Sequence, residues 1–338
     1  MNRFWIAPAA AAGCLLFAAC EYPTGPPMLE HRWIIPIQET SMSVDELLPA
    51  GVVVSGNEFS VSMDPFATSQ SLGALCGACA ALNGLTAPAP AFATSFNTSE
   101  DLPADVTAAM ISSASLEVQI ANGFSFDPIA GGGSLTITIS DGEGGAELGR
   151  VVIDGATEAI PAFGTVTRTL TIGSASIGTT FFASVNLSSV GGQLALVNTS
   201  QQITVTTTTT SLLLSSAMVN VSNQPVDLDE AELDVGDIDE ELTDRIQDGS
   251  VILDVVNPFG VSVSGTLSIG PTTKSYSIPS DATSTVIIDY TADELRSILG
   301  QENITLSGSG TVSGGAITVR PNDEMLVTVS IDMTLLIG

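Results

Sequence analysis

The sequence predicts an all-β protein, mainly strand with a few short helices, arranged as two tandem antiparallel β-sandwich-like modules behind an N-terminal export signal. Three observations predict this. Hydrophobic residues make up 44% of the 338 residues but aromatics only 5%. The core must therefore come from Val, Ile, Leu and Ala, and with abundant Thr, Ser and Gly this favours strands and turns. Long runs alternate apolar and polar residues with a period of two. Finally, one pattern occurs twice. Val251, Leu253 and Val255 answer Leu116, Val118 and Ile120 at a constant spacing of 135 residues, and Asn257 and Phe259 answer Asn122 and Phe124. A repeat this long is a duplicated domain and not a solenoid.

The chain opens MNRFWIAPAAAAGCLLFAAC. Arg3 gives a short positive region, and the apolar run from Phe4 to Ala19 is too short for a membrane span and suits an export signal. LLFAAC resembles a bacterial lipobox: an aliphatic residue, two small residues, then the Cys that receives lipid. Ala18, Ala19 and Cys20 fit it, and Phe17 stands where Leu is usual. Cys14 is a rival site that would leave a very short apolar core. The resemblance implies cleavage after residue 19 and an acyl chain such as palmitate on Cys20. Glu21 is not the Asp that retains such proteins in the inner membrane of well-studied envelopes, which implies the outer membrane. Pro23, Pro26 and Pro27 make the next residues a semi-extended tether.

The expected partition is a signal peptide (1–19), a flexible tether (20–30), an N-terminal region with short strands and a Cys pair (31–99), a first β-module (100–222), an acidic connecting segment (223–249) and a second β-module (250–338). Cys76 and Cys79 lie in LGALCGACAALNG. In an oxidising compartment their spacing favours a local structural disulfide. A thioredoxin-like redox centre would need a βαβ unit around it, and zinc would need two more ligands when His31 is the only His.

Each copy reads as six or seven strands separated by Gly, Pro, Asn and Asp turns, the pattern of an antiparallel sandwich or barrel. GSLTITISDG answers GTLSIGPTTK, GTVTRTLTIG answers SDATSTVIIDY, and QQITVTTTTTSLLL answers EMLVTVSIDMTLLI. In the last run Met325, Val327, Val329, Ile331 and Met333 are expected to face the core, with Leu326, Thr328, Ser330, Asp332 and Thr334 outside. Ile252 and Val256 are apolar on the other face, so that strand is expected to be covered on both sides, by Leu233 or Ile238 or by the other module. Thr291 and Glu294 form a capping box that opens a short helix, with Gly300 as its stop. Ser43 and Glu46 form a second box, and EELTDRIQDG suggests another brief helix.

VILDVVNPFGVSVSGTLSI, VIIDYTADELRSI and ITLSGSGTV resemble the late-embryogenesis-abundant domain of the water-stress-and-hypersensitive-response type. Its mark is a strand leading into Asn-Pro-Φ, here Asn257-Pro258-Phe259. The first copy has Gly123 at the Pro position. The resemblance implies a small β-sandwich without catalytic residues, linked to desiccation protection or accessory roles beside membranes. A looser resemblance, to tubular lipid-binding proteins of the BPI type, rests on the repeated amphipathic β-runs.

Net charge is −29, from 8 basic and 37 acidic residues, and the basic residues are scattered singly. Nucleic-acid binding is excluded on that ground. The acidic run PVDLDEAELDVGDIDEELTD has no EF-hand, since Glu232 stands where the loop from Asp227 needs Gly, and it reads as a solvated face on packed strands. One His, one Lys (Lys274) and no Walker loop leave no triad and no metal set. Carboxylate pairs are plentiful but unplaced. The expectation is therefore no catalytic, cofactor or metal residues. It is a non-enzymatic cell-envelope lipoprotein with a structural or interaction role, partnered by the membrane through its anchor and by envelope protein or lipid. The alternative is a carrier of lipid or another hydrophobic ligand.

Overall fold

The computed structural model describes residues 28–234, 240–299 and 303–337. The signal peptide, the tether up to residue 27, Cys14, Cys20, Ile238 and Gly300 lie outside them. The chain begins with β1 (Leu29–Ser43), a 3-10 turn (Val44–Leu47), β2 (Val52–Ser55), β3 (Glu58–Val61), β4 (Phe66–Ser71), α1 (Leu72–Leu75), a second 3-10 turn (Gly77–Leu82) and β5 (Thr86–Pro88). Then come β6 (Phe92–Asp101), β7 (Val106–Asn122), β8 (Ser134–Asp141), β9 (Glu147–Asp154), β10 (Thr165–Ile172), β11 (Ala175–Ile177), β12 (Thr180–Ser189), β13 (Leu194–Leu196) and β14 (Gln202–Val221). The remainder is β15 (Gln224–Asp234), α2 (Glu240–Thr243), β16 (Ile246–Val256), β17 (Ser262–Ile269), β18 (Thr272–Ile278), β19 (Thr283–Thr291), α3 (Ala292–Leu299), β20 (Asn303–Ser313), β21 (Gly315–Val319) and β22 (Glu324–Ile337).

These strands form two sandwiches of the same design, all antiparallel. In the first, β10-β7-β14-β4 faces β6-β12-β8-β9; in the second, β19-β16-β22-β1 faces β15-β20-β17-β18. Each strand of one set has a counterpart in the other. Leu116 of β7 stands opposite Leu170 of β10, and Val251 of β16 stands opposite Ile288 of β19. Both are fully buried, as are Val118, Ile120, Leu253 and Val255, while Glu117, Gln119 and Asp254 are exposed. The period of two does this work: one face of each strand enters the core between the sheets and the other meets water. Met325, Val327, Val329, Ile331 and Met333 of β22 are buried in the same way.

The turn after the first core strand is also built twice. Asn122 is buried and its amide donates to the carbonyls of Phe126 (2.9 Å), Ile160 (3.0 Å) and Pro161 (2.9 Å), pinning this turn to the loop that enters β10. Asn257 is buried and donates to Val261 (2.7 Å) and Pro279 (3.4 Å), pinning the matching turn to the loop that enters β19. Gly123 explains why the first copy lacks Pro. Its N–H donates to the carbonyl of Gln202 at 2.8 Å, which Pro could not do, and a Cβ there would stand 2.4 Å from that oxygen.

Two strands cross the partition drawn from the sequence. β1 starts at Leu29, inside the expected tether, and pairs with β22 from Leu29↔Ile337 to Ser43↔Glu324, so the N-terminal region completes the second sandwich. Residues 224–234 of the acidic segment form β15, the edge of the opposite sheet, paired with β20. The modules are also joined by a ladder. The end of β14 pairs with β21 of the second module, from Ala217↔Val319 to Val221↔Gly315.

Two local expectations are corrected. Ser43 makes no side-chain cap to the four-residue 3-10 helix that follows it, which stops at Leu47, ahead of Pro49. Ile252 is half-buried and Val256 is 49% exposed, so no second layer covers that face of β16. Their cover comes instead from cross-strand neighbours on the same face, Ile287 and Leu326. Leu233 lies on β15, in the opposite sheet. By contrast, the Thr291–Glu294 box forms fully: Thr291 N–H donates to Glu294 Oε2 (2.8 Å), and Glu294 N–H donates to Thr291 Oγ1 (3.3 Å). The brief helix before β16 is α2.

Candidate functional site

The outer face of β1-β22-β16-β19 carries an open cavity of about 360 Å³, lined by Arg32, Asp248, Ser250, Asp289, Asp332 and Thr334 among others. Strand register builds it. Asp332, Ser250 and Asp289 lie side by side on three neighbouring strands, and Arg32, Thr334 and Asp248 form the next row. Alternation puts all six side chains on the solvent face.

Arg32 and Asp332 are 300 residues apart in sequence and bonded at two points: Arg32 Nε donates to Asp332 Oδ1 (2.8 Å) and Oδ2 (2.9 Å), and Nη2 also donates to Oδ2. The guanidinium hydrogen bond holds the Asp332 carboxyl below its usual range. Asp332 is therefore a fixed anion and not a proton donor at neutral pH. With Asp248 and Asp289 the cavity holds three carboxylates against one cation. It disfavours anionic ligands and offers acceptors to hydroxyls or cations. Among the described residues no group of three His, Cys, Asp or Glu side chains is placed to hold a metal ion.

Two other concavities differ in kind. On the outer face of β6-β12-β8 a cavity of about 360 Å³ is lined by Ala93, Thr94, Ser95, Ser134, Thr136, Asn186, Leu187 and Ser188, without a charge. Between the sheets of the second module a void of about 20 Å³ is lined by Met42, Val226, Val263, Tyr276, Met325 and neighbours. That is room for about one water. Hydrophobic-ligand pockets run to roughly 300–1,000 Å³.

A cluster at the sandwich corner involves the only Lys. Lys274 Nζ lies 2.7 Å from Glu294 Oε1 and 5.2 Å from the centroid of the Tyr290 ring. Hydrogen bonds from Lys274 and from the Thr291 backbone pull the Glu294 carboxyl down to about 2. Burial, then the Glu294 charge, pushes the Tyr290 hydroxyl up to about 12. The cluster fastens α3 to β18 and β19. Leu295, Ile298 and Leu299 of that helix are buried beneath it.

Cys76 and Cys79 are joined by a disulfide, with Cα atoms 5.3 Å apart, at the junction of α1 and the second 3-10 turn. Both are buried, whereas reactive redox cysteines are partly exposed. His31 sits on β1 opposite Leu335, away from any second ligand set among the described residues. Cys20 lies outside the described residues. The acidic cavity was not foreseen from the sequence. Its signal was faint: the alternation of His31, Trp33, Ile35 and Ile37 marks a strand, but nothing local says that this strand pairs with the last one.

No family model matches the chain, and comparison with curated proteins gives no match. Among solved structures the chain is similar to a protein described as secreted, from Parabacteroides distasonis (9% identity, 90% of this chain and 99% of that chain, TM-score 0.30). It is also similar to a chain of Broad Bean Stain Virus (12%, 88% and 97%, TM-score 0.24) and to PNGase F, a glycosylasparaginase from Flavobacterium meningosepticum (10%, 81% and 100%, TM-score 0.21). At these scores the overlaps carry no argument about fold or chemistry.

Proposed function

We propose that this chain is a non-enzymatic lipoprotein of the cell envelope, anchored through an acylated Cys20, exposed to the periplasm or the cell surface, and presenting two copies of one β-module to an envelope partner. The observation that carries this reading is the way the modules are tied together. β1, which precedes the first module in the chain, belongs to the second sandwich, and the end of β14 pairs with β21 of the second module. A protein built this way holds two binding faces at a fixed spacing, which suits display better than chemistry. The Asn-Pro-Phe segment, with Asn257 pinning its turn, supports membership in the water-stress-and-hypersensitive-response type of domain.

The alternative, a carrier of lipid or another hydrophobic ligand, would place its cargo between the sheets. The 20 Å³ void there favours a filled core. The three carboxylates of the outer cavity include one held ionised by Arg32, which supports a binding role over acid–base catalysis.

Expression with a clickable palmitate analogue, followed by mass spectrometry of the N-terminal peptide, tests the anchor, and cross-linking in intact cells tests the partner. An acylated Cys20 with a reproducible cross-linked partner is expected. An unmodified Cys20 in a secreted chain contradicts the anchor, and a chain that is monomeric and partnerless in every fraction contradicts the display role.

A further inference from the structure

The first half of β1 presents an open apolar segment. Met28 (69%), Leu29 (56%), Trp33 (39%) and Ile34 (59%) are all exposed within seven consecutive residues; a second exposed apolar group, Val190, Leu194 and Leu196, lies at and just before β13. Leu29 and Trp33 share one side of the strand and Ile34 projects from the other, as alternation requires. The strand is at the edge of its sheet, bonded only to β22. Both sides and the free edge are therefore open at once.

We infer that this segment is a membrane-contact site, in which Met28, Leu29, Trp33 and Ile34 rest in the interfacial layer of the bilayer that holds the Cys20 anchor. The inference rests on the lipoprotein reading and adds to it how the folded part is oriented. Chain length argues for it. Eight residues separate Cys20 from Leu29, and the nine steps between them, at about 3.3–3.6 Å each, reach roughly 30 Å at most. An acylated Cys20 thus keeps this strand within that distance of the lipid surface and leaves the rest of the molecule free to face away.

Residue chemistry argues the same way. Trp prefers the headgroup level, where its ring is in apolar surroundings and its N–H can reach water. Trp33 is the only Trp beyond the signal sequence, Trp5 being the other. Charge gives the contact no help: Arg32 is paired with Asp332, Glu30 lies in the segment, and Asp248, Asp289 and Asp332 lie on the same face of the sheet as Ile34. The net charge of −29 still repels an anionic surface. The contact is therefore apolar and suits a zwitterionic leaflet.

The mature, acylated protein, reconstituted in phosphatidylcholine vesicles with and without bromine on the acyl chains, tests this directly, because Trp33 is then the only indole emitting. Bromolipid is expected to quench most of the Trp33 emission and lipid to shift it to the blue. Ile34→Asp, at an exposed position that keeps the fold, should abolish the quenching while the protein stays anchored; Ile34→Leu should retain it. Acyl mass on Cys20 with unquenched Trp33 overturns the inference and leaves the anchor standing. Missing acyl mass overturns both. A blue shift that appears without vesicles and rises with protein concentration would assign the segment to a second copy of the chain, and also overturns it.

Discussion

Asn122 and Asn257 occupy the same point in two different sandwiches. Each ends a central strand, each is almost fully buried, and each turns its side-chain amide onto the carbonyl four residues ahead, that of Phe126 or Val261. Their backbone N–H groups are also matched, donating at 2.8 Å to Gly164 and to Ala282. The duplication is thus preserved in hydrogen-bond chemistry as well as in hydrophobic pattern.

Removing either amide leaves buried carbonyls without a donor. Asn122→Ala and Asn257→Ala should each cost about 1–3 kcal/mol in equilibrium denaturation. Asn122 carries more bonds, since its Oδ1 also accepts from Phe124 N–H at 2.9 Å, and its replacement should be the costlier. Equal and negligible losses would show that these turns hold without their asparagines.

The two copies should respond alike in their cores. Leu116→Ala should cost about 2–5 kcal/mol, the range for truncating a buried Leu. Val251→Ala, at the equivalent site, should also destabilise. Glu117→Ala and Asp254→Ala, on the exposed faces of the same strands, should stay within about 0.5 kcal/mol. Urea or guanidinium unfolding with all four variants measures the contrast.

Glu294 sets a pH dependence whose sign is fixed. Its folded pKa, about 2, lies below the ordinary value of 4.5. The unfolded state therefore takes up a proton first as pH falls. The contribution of the Lys274 contact and the helix cap is complete above about pH 4.5 and is lost on descending toward pH 2. Thermal melts of the wild type and Glu294→Gln should differ most above pH 5 and converge toward pH 2; a gap that widens on acidification would contradict the assignment.

Much of this fold was legible because its causes are local. Val251, Leu253 and Val255 alternate whatever they pair with, and Thr291 with Glu294 caps a helix using only three residues of separation. The duplication was legible because the same inward positions recur. What could not be read is partnership. Arg32 meets Asp332 across 300 residues, and neither carries a mark of the other. The same holds for β1 beside β22 and β15 beside β20. β15 has the composition of an acidic link, and β1, whose alternation marks a strand, begins in the expected tether; only the ladder offered by the neighbouring strand assigns each to its sheet. Ile252 and Val256 misled for a related reason. An apolar residue on the outer face of a sheet can be served by cross-strand neighbours such as Ile287, without a covering layer.

The pair Arg32–Asp332 itself should contribute little to stability, because Arg32 is largely exposed. Asp332→Asn should leave the unfolding midpoint nearly unchanged. Any ligand of the acidic cavity that carries a positive charge should bind more weakly to it. Calorimetric titration of a polyamine as a simple cationic probe compares the two proteins; tighter binding by Asp332→Asn would contradict the acceptor role given to these carboxylates.

The central claim is that one module is built twice and that the second is completed by the strand following the N-terminal segment. Hydrogen–deuterium exchange on the full chain and on a variant lacking residues 29–43 tests it most directly. The account predicts that residues 29–43 and 324–337 are protected together in the full chain. It further predicts that the deletion strips protection from β22 and β16 and leaves that of β7 largely intact. Undiminished protection of β22 in the shortened chain, or losses centred on β7, would contradict it.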